Sequence, residues 1–307
     1  MRQRTLAREA AFSGVGLHSG VPVNIRVLPA EAESGITFVR TDLGGKRIPV
    51  VPSSIAGTER STTIRCGEAE VITVEHLLSA LSGCGIDNAL IELDACEVPI
   101  LDGSALPYAE AFAECGTICQ DSPRRIFRIP VPFEYTDPSG SYIRITPADR
   151  FEAAVTVHYD NPPVLRNLSA SFAEGDDYPS QIAPCRTFCL FSEVAFLLSR
   201  NLIRGGSLGN AVVVMDVVPD DAACASVLEY FGVGSIAASR NGYLNNMELR
   251  FPDECARHKI LDLMGDFTLL GASLQGRVEA FKPGHRVNAE AVSRLVAAYP
   301  EFFNEKL

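Results

Sequence analysis

Five histidines occur in the 307-residue chain, at positions 18, 76, 158, 258 and 285, few enough to weigh one at a time. His258 and Asp262 stand four residues apart in a stretch, Asp253 to Leu270, whose apolar spacing predicts a helix, so both fall on one face about a turn apart. Two side chains so placed can bind one metal ion. Asp266 extends the line by another turn, while Ile260, Leu261, Leu263, Met264 and Phe267 supply the core-facing remainder. Polar groups beside a core face are costly without partners. For this helix alone, a solvated His-Asp pair competes equally with a metal site. Glu75 and His76 open a second predicted helix, from near Thr73 to Ser82-Gly83, with Leu77, Leu78, Ala80 and Leu81 on its apolar face. Adjacent helical residues point about 100° apart, so His76 can face a metal while Glu75 flanks the open coordination position. Alone, an acid in the first turn is no more than a favourable dipole contact. Together the two helices offer His76, His258 and Asp262 plus water, the pattern of a catalytic metal, with Glu75 as a spare carboxylate for general-base work.

Other constellations compete. Ser207 lies in GGSLG, a match to GxSxG, and the order Ser207, Asp262, His285 is that of an α/β-hydrolase triad. A nucleophile elbow needs a strand before the serine and a helix after it, whereas here a predicted helix precedes and an apolar strand follows. GVGLHSG (14 to 20) imitates a dinucleotide loop, but the strand pattern VPVNIRV follows it, leaving no helix N-terminus for a phosphate. Two histidines and a carboxylate also describe a non-haem iron oxygenase, which has no use for Glu75 and His285 beside the metal. His158 alternates within a strand and reads as structural.

The elements that must position these residues follow from periodicity. Val23, Ile25 and Val27 alternate with polar neighbours, Ile36 to Arg40 and Ile48 to Val51 are short apolar runs, and Ala89, Ile91 and Leu93 form a strand after the first helix. GTICQDSPRR reads as a linker dividing 1–122 from 126–307. Strands at 126–133, 141–147 and 151–159 then lead to the second long helix and a strand at Arg277 to Phe281. Each half runs strands, helix, strand, so the expected fold is α+β, two similar α/β layered domains packed against each other. The second carries an insertion at about 191–218: a short helix (Phe191, Val194, Ala195, Leu197, Leu198), a glycine-rich turn RNLIRGGSLGN, and an apolar strand from Ala211 to Val218.

Composition sets the class. Apolar residues make up 47% and charged ones 21%, the balance of a packed globular chain. No run approaches the ~20 apolar residues of a membrane span, and the first residues lack the apolar core of a signal peptide, so a cytoplasmic protein is expected. Nine scattered cysteines with no CxxC pair fit that compartment, and Cys115/Cys119 and Cys185/Cys189 read as small apolar filler. A formal charge of −11 argues against a nucleic-acid surface, so positive charge for an anionic substrate must be local.

The strings GVGLHSG, TVEHLLSAL, GIDNALIEL, VPILDGSA, RTF, RGGSLGN, RHKILDLMGD and KPGH, in this order over nearly the whole chain, resemble the UDP-3-O-acyl-N-acetylglucosamine deacetylases. The resemblance implies removal of acetate from a UDP-linked, 3-O-acylated amino sugar in lipid A synthesis. It implies zinc, with ferrous iron as the alternative, on His76, His258 and Asp262, and Glu75 as the general base. His285 would be the cationic acid, oriented by Asp266. Thr187 would donate to the oxyanion, Lys259 would meet substrate phosphate oxygens beside Phe188, and the insertion would form a βαβ passage for the acyl chain. The expected state is a monomer. The chain departs from the family pattern at Gly209, where an acidic residue is common, and at Cys189 and Leu190, which replace a glycine and an aromatic. His18 lies in a family motif without an assignable role. A nucleotide-sugar binding protein without catalysis is the remaining alternative.

Overall fold

The computed structural model describes residues 1–200, 202–218, 221–232, 235 and 240–303. Asn201 of the glycine-rich turn, the side chains of Ala195 and Cys224, and residues 304–307 lie outside what is described.

The first half is built on five strands in the spatial order Ala10–Val15, Pro22–Pro29, Ala89–Leu93, Ile36–Arg40, Lys46–Pro49. Alternation explains the second of them: Val23, Ile25 and Val27 are buried while their neighbours face solvent. The central strand runs antiparallel to Pro22–Pro29 and parallel to Ile36–Arg40. A parallel neighbour requires a crossover, and helix α1 (Glu75–Gly83) supplies it. A small sheet of Ile55–Gly57, Thr63–Cys66 and Ala69–Val71 precedes that helix, and α2 (Leu106–Cys115) follows the central strand.

The second half repeats the plan. Its strands order as Phe133–Thr136, Tyr142–Thr146, Ser273–Phe281, Phe151–Val157, Leu168–Ala173. Again the central strand is antiparallel to one hairpin and parallel to the other. Between the hairpins and that strand come α3 (Tyr178–Gln181), α4 (Phe191–Ser199), α5 (Asp221–Phe231) and α6 (Glu254–Thr268); α7 (His285–Ala298) and α8 (Pro300–Phe303) follow it. Helices α1 and α6 pack on each other between the two sheets, in one continuous apolar core. The two α/β layers expected from sequence are present, with the same hairpin, central strand, hairpin order in each.

Several local expectations are corrected. The linker text is a strand: Thr117–Pro123 pairs antiparallel with Arg2–Leu6, satisfying its backbone on the chain's own N-terminal segment. The strand expected at 126–133 is divided by Pro130 and Pro132 into Ile126–Arg128 and Phe133–Thr136. The strand after α6 is longer than expected, Ser273–Phe281. The apolar run from Ala211 pairs only over Val212–Val214, because Asp216 turns away to accept from the N–H and hydroxyl of Ser192 at the start of α4, at 3.0 and 2.5 Å. The insertion is nonetheless a βαβ unit, Phe188–Leu190 running parallel to Val212–Val214 across α4. It has its own core of Phe191, Val194, Leu197, Ile203, Val213, Val227 and Leu244.

Candidate active site

The site forms where α6 crosses the first turn of α1. A Cβ built on Gly265 would stand 2.1 Å from the carbonyl oxygen of Glu75, so glycine is what allows the approach. That crossing brings His76 of α1 beside His258 and Asp262 of α6, all three buried, their ligand atoms within 4.8 Å of one another. His258 Nδ1 donates to the Cys185 carbonyl at 3.0 Å, which leaves the Nε2 lone pair free, 3.2 Å from Asp262 Oδ1. His76 Nε2 stands 3.9 Å from the same oxygen. Burial, reinforced by His258, pushes the His76 imidazole down to about 3, so it is neutral and able to donate its lone pair.

Asp262 is the element that points to a cation. Burial opposes its charge, but His258 and Lys259 hold its carboxyl well below the usual carboxylate range. Oδ2 accepts from Lys259 Nζ at 2.7 Å, whereas Oδ1 is buried and has no hydrogen-bond partner. A buried anionic oxygen left unpaired is among the costliest groups in a fold, and a divalent cation between it and two imidazoles removes the cost. Two imidazole nitrogens and one carboxylate oxygen are a donor set that suits zinc and the neighbouring first-row metals, so the residues fit a metal. Among the described residues no other cluster of this kind occurs. Cys115, Cys119, Cys185 and Cys189 are free thiols; Cys185 is buried, whereas Cys119 is exposed and so is not the apolar filler expected of it.

Glu75 and His285 flank this set. The Nε2 of His285 is 3.7 Å from Glu75 Oε1, and its Nδ1 lies 3.0 Å from Asp266 Oδ2. Burial raises the Glu75 carboxyl to about 7, with Asp266 and Asp262 adding to the push and His285 opposing it. Burial works against the His285 imidazolium too, but Asp266 and Glu75 outweigh it and lift the group to about 9. One group is thus near the midpoint for accepting a proton and the other holds one at neutral pH. His285 is the first residue of α7, with Gly284 as the cap. Pro283-Gly284 punctuates a helix start there.

Of the remaining expected residues, Thr187 and Phe188 come from the RTF segment and Lys259 from α6. Arg186 forks onto buried Glu254 (Nε to Oε1 2.8 Å, Nη2 to Oε2 3.1 Å), which fixes the RTF segment against α6 one turn before His258. Thr187 is pinned by its own backbone, donating to Gly103 and accepting from Val212, both at 2.8 Å. Phe188 meets the His258 ring edge-on at 6.4 Å and lies 5.2 Å from Lys259 Nζ. Phe188 and Lys259 line a cleft of about 390 Å³ together with His158, Tyr159, Ser141, Val157 and Lys282. His158 follows the strand Phe151–Val157 rather than lying inside it; its Nδ1 lies 2.7 Å from Asn167 Oδ1 and its side chain borders this cleft. Lys259 is held by Asp262 Oδ2, an anchorage that its position beside a ligand did not reveal.

Some functional neighbours carried no signal in the sequence. Buried Glu97 accepts from the backbone of His18 and Ser19 at 2.9 and 2.8 Å and from the Thr73 hydroxyl at 3.0 Å. It ties the GVGLHSG loop to the residue that enters α1. The same loop meets the insertion, Gly205 donating to the Leu17 carbonyl at 3.0 Å. His18 is thereby placed, its Nε2 buried without a hydrogen-bond partner. Thr62, also buried, reaches Glu75, Asp266 and His285 at once. Asn288 donates to Asp266 at 2.8 Å. The hydrogen-bond partners of the expected triad lie elsewhere: the Ser207 N–H is on Asn210, its hydroxyl accepts from Gly209, and His285 Nδ1 faces Asp266 rather than Asp262. Residues 202–210 form no strand-to-helix elbow.

In the insertion, Val194 and Leu197 are buried in the local core and Leu198 packs against it. Phe196 is the large apolar side chain that α4 leaves exposed, with Leu202 and Val217 exposed nearby in sequence. No described helix is long and apolar enough to cross a membrane.

A family model described as UDP-3-O-acyl N-acetylglycosamine deacetylase matches residues 3–222 and 234–297. The chain is 39% identical over 305 residues to the UDP-3-O-acyl-N-acetylglucosamine deacetylase of Neisseria meningitidis serogroup B, covering 97% of this chain and 91% of that one. It is 39% identical over 296 residues to the enzyme of the same name from an Anaeromyxobacter species, covering 96% and 88%. The bifunctional enzyme LpxC/FabZ of Chlorobaculum tepidum is 39% identical over 299 residues; that match covers 96% of this chain but spans only 64% of the relative's length.

Proposed function

Because the chain belongs to the UDP-3-O-acyl N-acetylglycosamine deacetylase family, we propose that it hydrolyses the acetamide of a UDP-linked, 3-O-acylated N-acetylglucosamine, releasing acetate in lipid A synthesis. The observation that carries this reading is the buried set His76, His258 and Asp262, with its unpaired Asp262 oxygen, flanked by a carboxyl raised to about 7 and an imidazole raised to about 9. Zinc or ferrous iron, held by those three residues, supplies the Lewis acidity that brings the pKa of water toward 7 and polarises a carbonyl. Glu75 takes the proton of the attacking water on Oε1, the oxygen left free by the Thr62 N–H on Oε2. His285 gives a proton from Nε2 to the leaving amine, its Nδ1 being turned to Asp266. Thr187 donates to the oxyanion from its pinned position. Lys259, Lys282 and Phe188 on the cleft wall suit the anionic, nucleotide-bearing part of the substrate, and the βαβ insertion with Phe196 exposed suits the acyl chain. The reading takes the chain as a cytoplasmic monomer with domains 1–122 and 126–307.

Acetate release from the acylated UDP-sugar tests it. Stripping metal with a chelator should abolish turnover, and zinc or ferrous iron should restore it. Full activity in the metal-free protein, with a fluorophosphonate labelling Ser207, would replace this reading with a serine hydrolase.

A further inference from the structure

Thr62 precedes the short strand Thr63–Cys66 in the first half of the chain, and it is fully buried. Each of its polar groups goes to a different part of the proton-transfer machinery. The backbone N–H donates to Glu75 Oε2 at 3.0 Å; the hydroxyl oxygen lies 2.5 Å from Asp266 Oδ1 and 3.2 Å from His285 Nδ1. The protons in this cluster can be assigned by elimination. Asp266 Oδ2 already faces His285 Nδ1 and the amide of Asn288, so the carboxylate is an acceptor throughout, and the Thr62 hydroxyl proton must go to Oδ1. The lone pair that remains on Oγ1 faces His285 Nδ1, which therefore carries hydrogen. That leaves Nε2 of His285 as the exchanging nitrogen, facing Glu75 Oε1 at 3.7 Å. Meanwhile the Thr62 N–H occupies Oε2 of Glu75 and so decides which of its oxygens faces His285.

Resting on the acid and base roles proposed above, we infer that Thr62 is a positioning residue that sets the distance and orientation between Glu75 and His285 by holding both from the first half of the chain. Glu75 is on α1, Asp266 on α6 and His285 on α7, so no single element fixes their mutual geometry. A displacement of about 1 Å in a proton-transfer pair costs on the order of 100-fold in rate. A residue bonded to both members restrains that displacement directly.

The test uses the full-length, metal-loaded chain and acetate release from the acylated substrate. Thr62→Val keeps the side-chain shape and the N–H but removes the hydroxyl. Its kcat should fall about 10- to 100-fold, with KM within about threefold and metal content unchanged. Thr62→Ser should recover most of the loss. In a His285→Gln background, adding Thr62→Val should cost little more, because the residue acts through the group already removed. Should the valine variant fail to fold, Thr62→Ala carries the same comparison. Wild-type kcat in the valine variant, a serine variant no better than valine, or losses that multiply fully in the His285→Gln background would each overturn the assignment. The acid-base reading fails separately, and Thr62's role with it, if Glu75→Gln and His285→Gln both turn over at the wild-type rate.

Discussion

At the scale of single residues, Glu75 and His285 stand 3.7 Å apart, and the base and acid roles proposed for them have opposite proton requirements that their surroundings suit. His285 has a folded-state pKa raised above its ordinary 6.5 to about 9, so its proton is present at neutral pH and is lost as the pH rises through about 9. The rate should accordingly fall along an alkaline limb near pH 9, and the residual activity of His285→Gln should lack that limb. A limb that persists unchanged in the variant would assign it to another group. Glu75→Gln, which keeps the shape and removes the base, should retain its metal and lose on the order of 10²- to 10⁴-fold in kcat, with metal content and rate read on one preparation. The candidate metal ligands and Glu75 were legible in the sequence because helical spacing places them before any tertiary contact is known. Thr62 and Glu97 were not: each acts from outside a periodic segment, and Thr62 meets Asp266 across 204 positions of chain.

At the scale of elements, the site depends on how closely α1 and α6 approach. Alanine in place of a mid-helix glycine ordinarily stabilises a helix by roughly 0.5–1 kcal/mol, so propensity alone favours Gly265→Ala. Here the added methyl would meet the Glu75 carbonyl oxygen at 2.1 Å and its carbonyl carbon at 2.8 Å, backbone atoms that cannot rotate away. The clash should win: α1 must shift, carrying Glu75 and His76 with it. Metal content and turnover should both fall, along with the melting temperature; an unchanged melting temperature with full metal would show that the crossing tolerates more than its geometry implies. The insertion gives a second test. Burying each CH₂ of an acyl chain contributes roughly 0.8 kcal/mol, so the enzyme should prefer the acylated substrate over UDP-N-acetylglucosamine by orders of magnitude in kcat/KM. Phe196→Asp, on the exposed side of α4, should narrow that preference with little effect on the unacylated substrate. Helices α1 and α6 and the strand Ala89–Leu93 were readable from periodicity, whereas α7 and Thr117–Pro123 were not. The polar text of Thr117–Pro123 forms a strand only because Arg2–Leu6 pairs with it, a partner no local pattern announces.

At the scale of the whole molecule, the two halves share one strand order, and each places a helix against the other's. His76 comes from the first half and His258 and Asp262 from the second, so a bound cation cross-links them. Without it, Asp262 Oδ1 stays buried at that junction with no hydrogen-bond partner, Lys259 satisfying only the other oxygen. Metal binding should therefore stabilise the fold as well as activate it. By mass action, free metal at 100 times its dissociation constant adds about 2.7 kcal/mol, which for a chain of this size is a rise of several degrees in melting temperature. The metal-free protein should melt lower than the loaded one, and titration with zinc should raise the midpoint progressively. Glu75→Gln should keep the whole shift, because its proposed role is on water rather than on the ion, while His76→Ala should lose most of it by removing the candidate ligand that, among the described residues, comes from the first half. Equal midpoints with and without zinc in the wild-type chain, or a full shift in His76→Ala, would mean that the ion does not join the two halves through these residues.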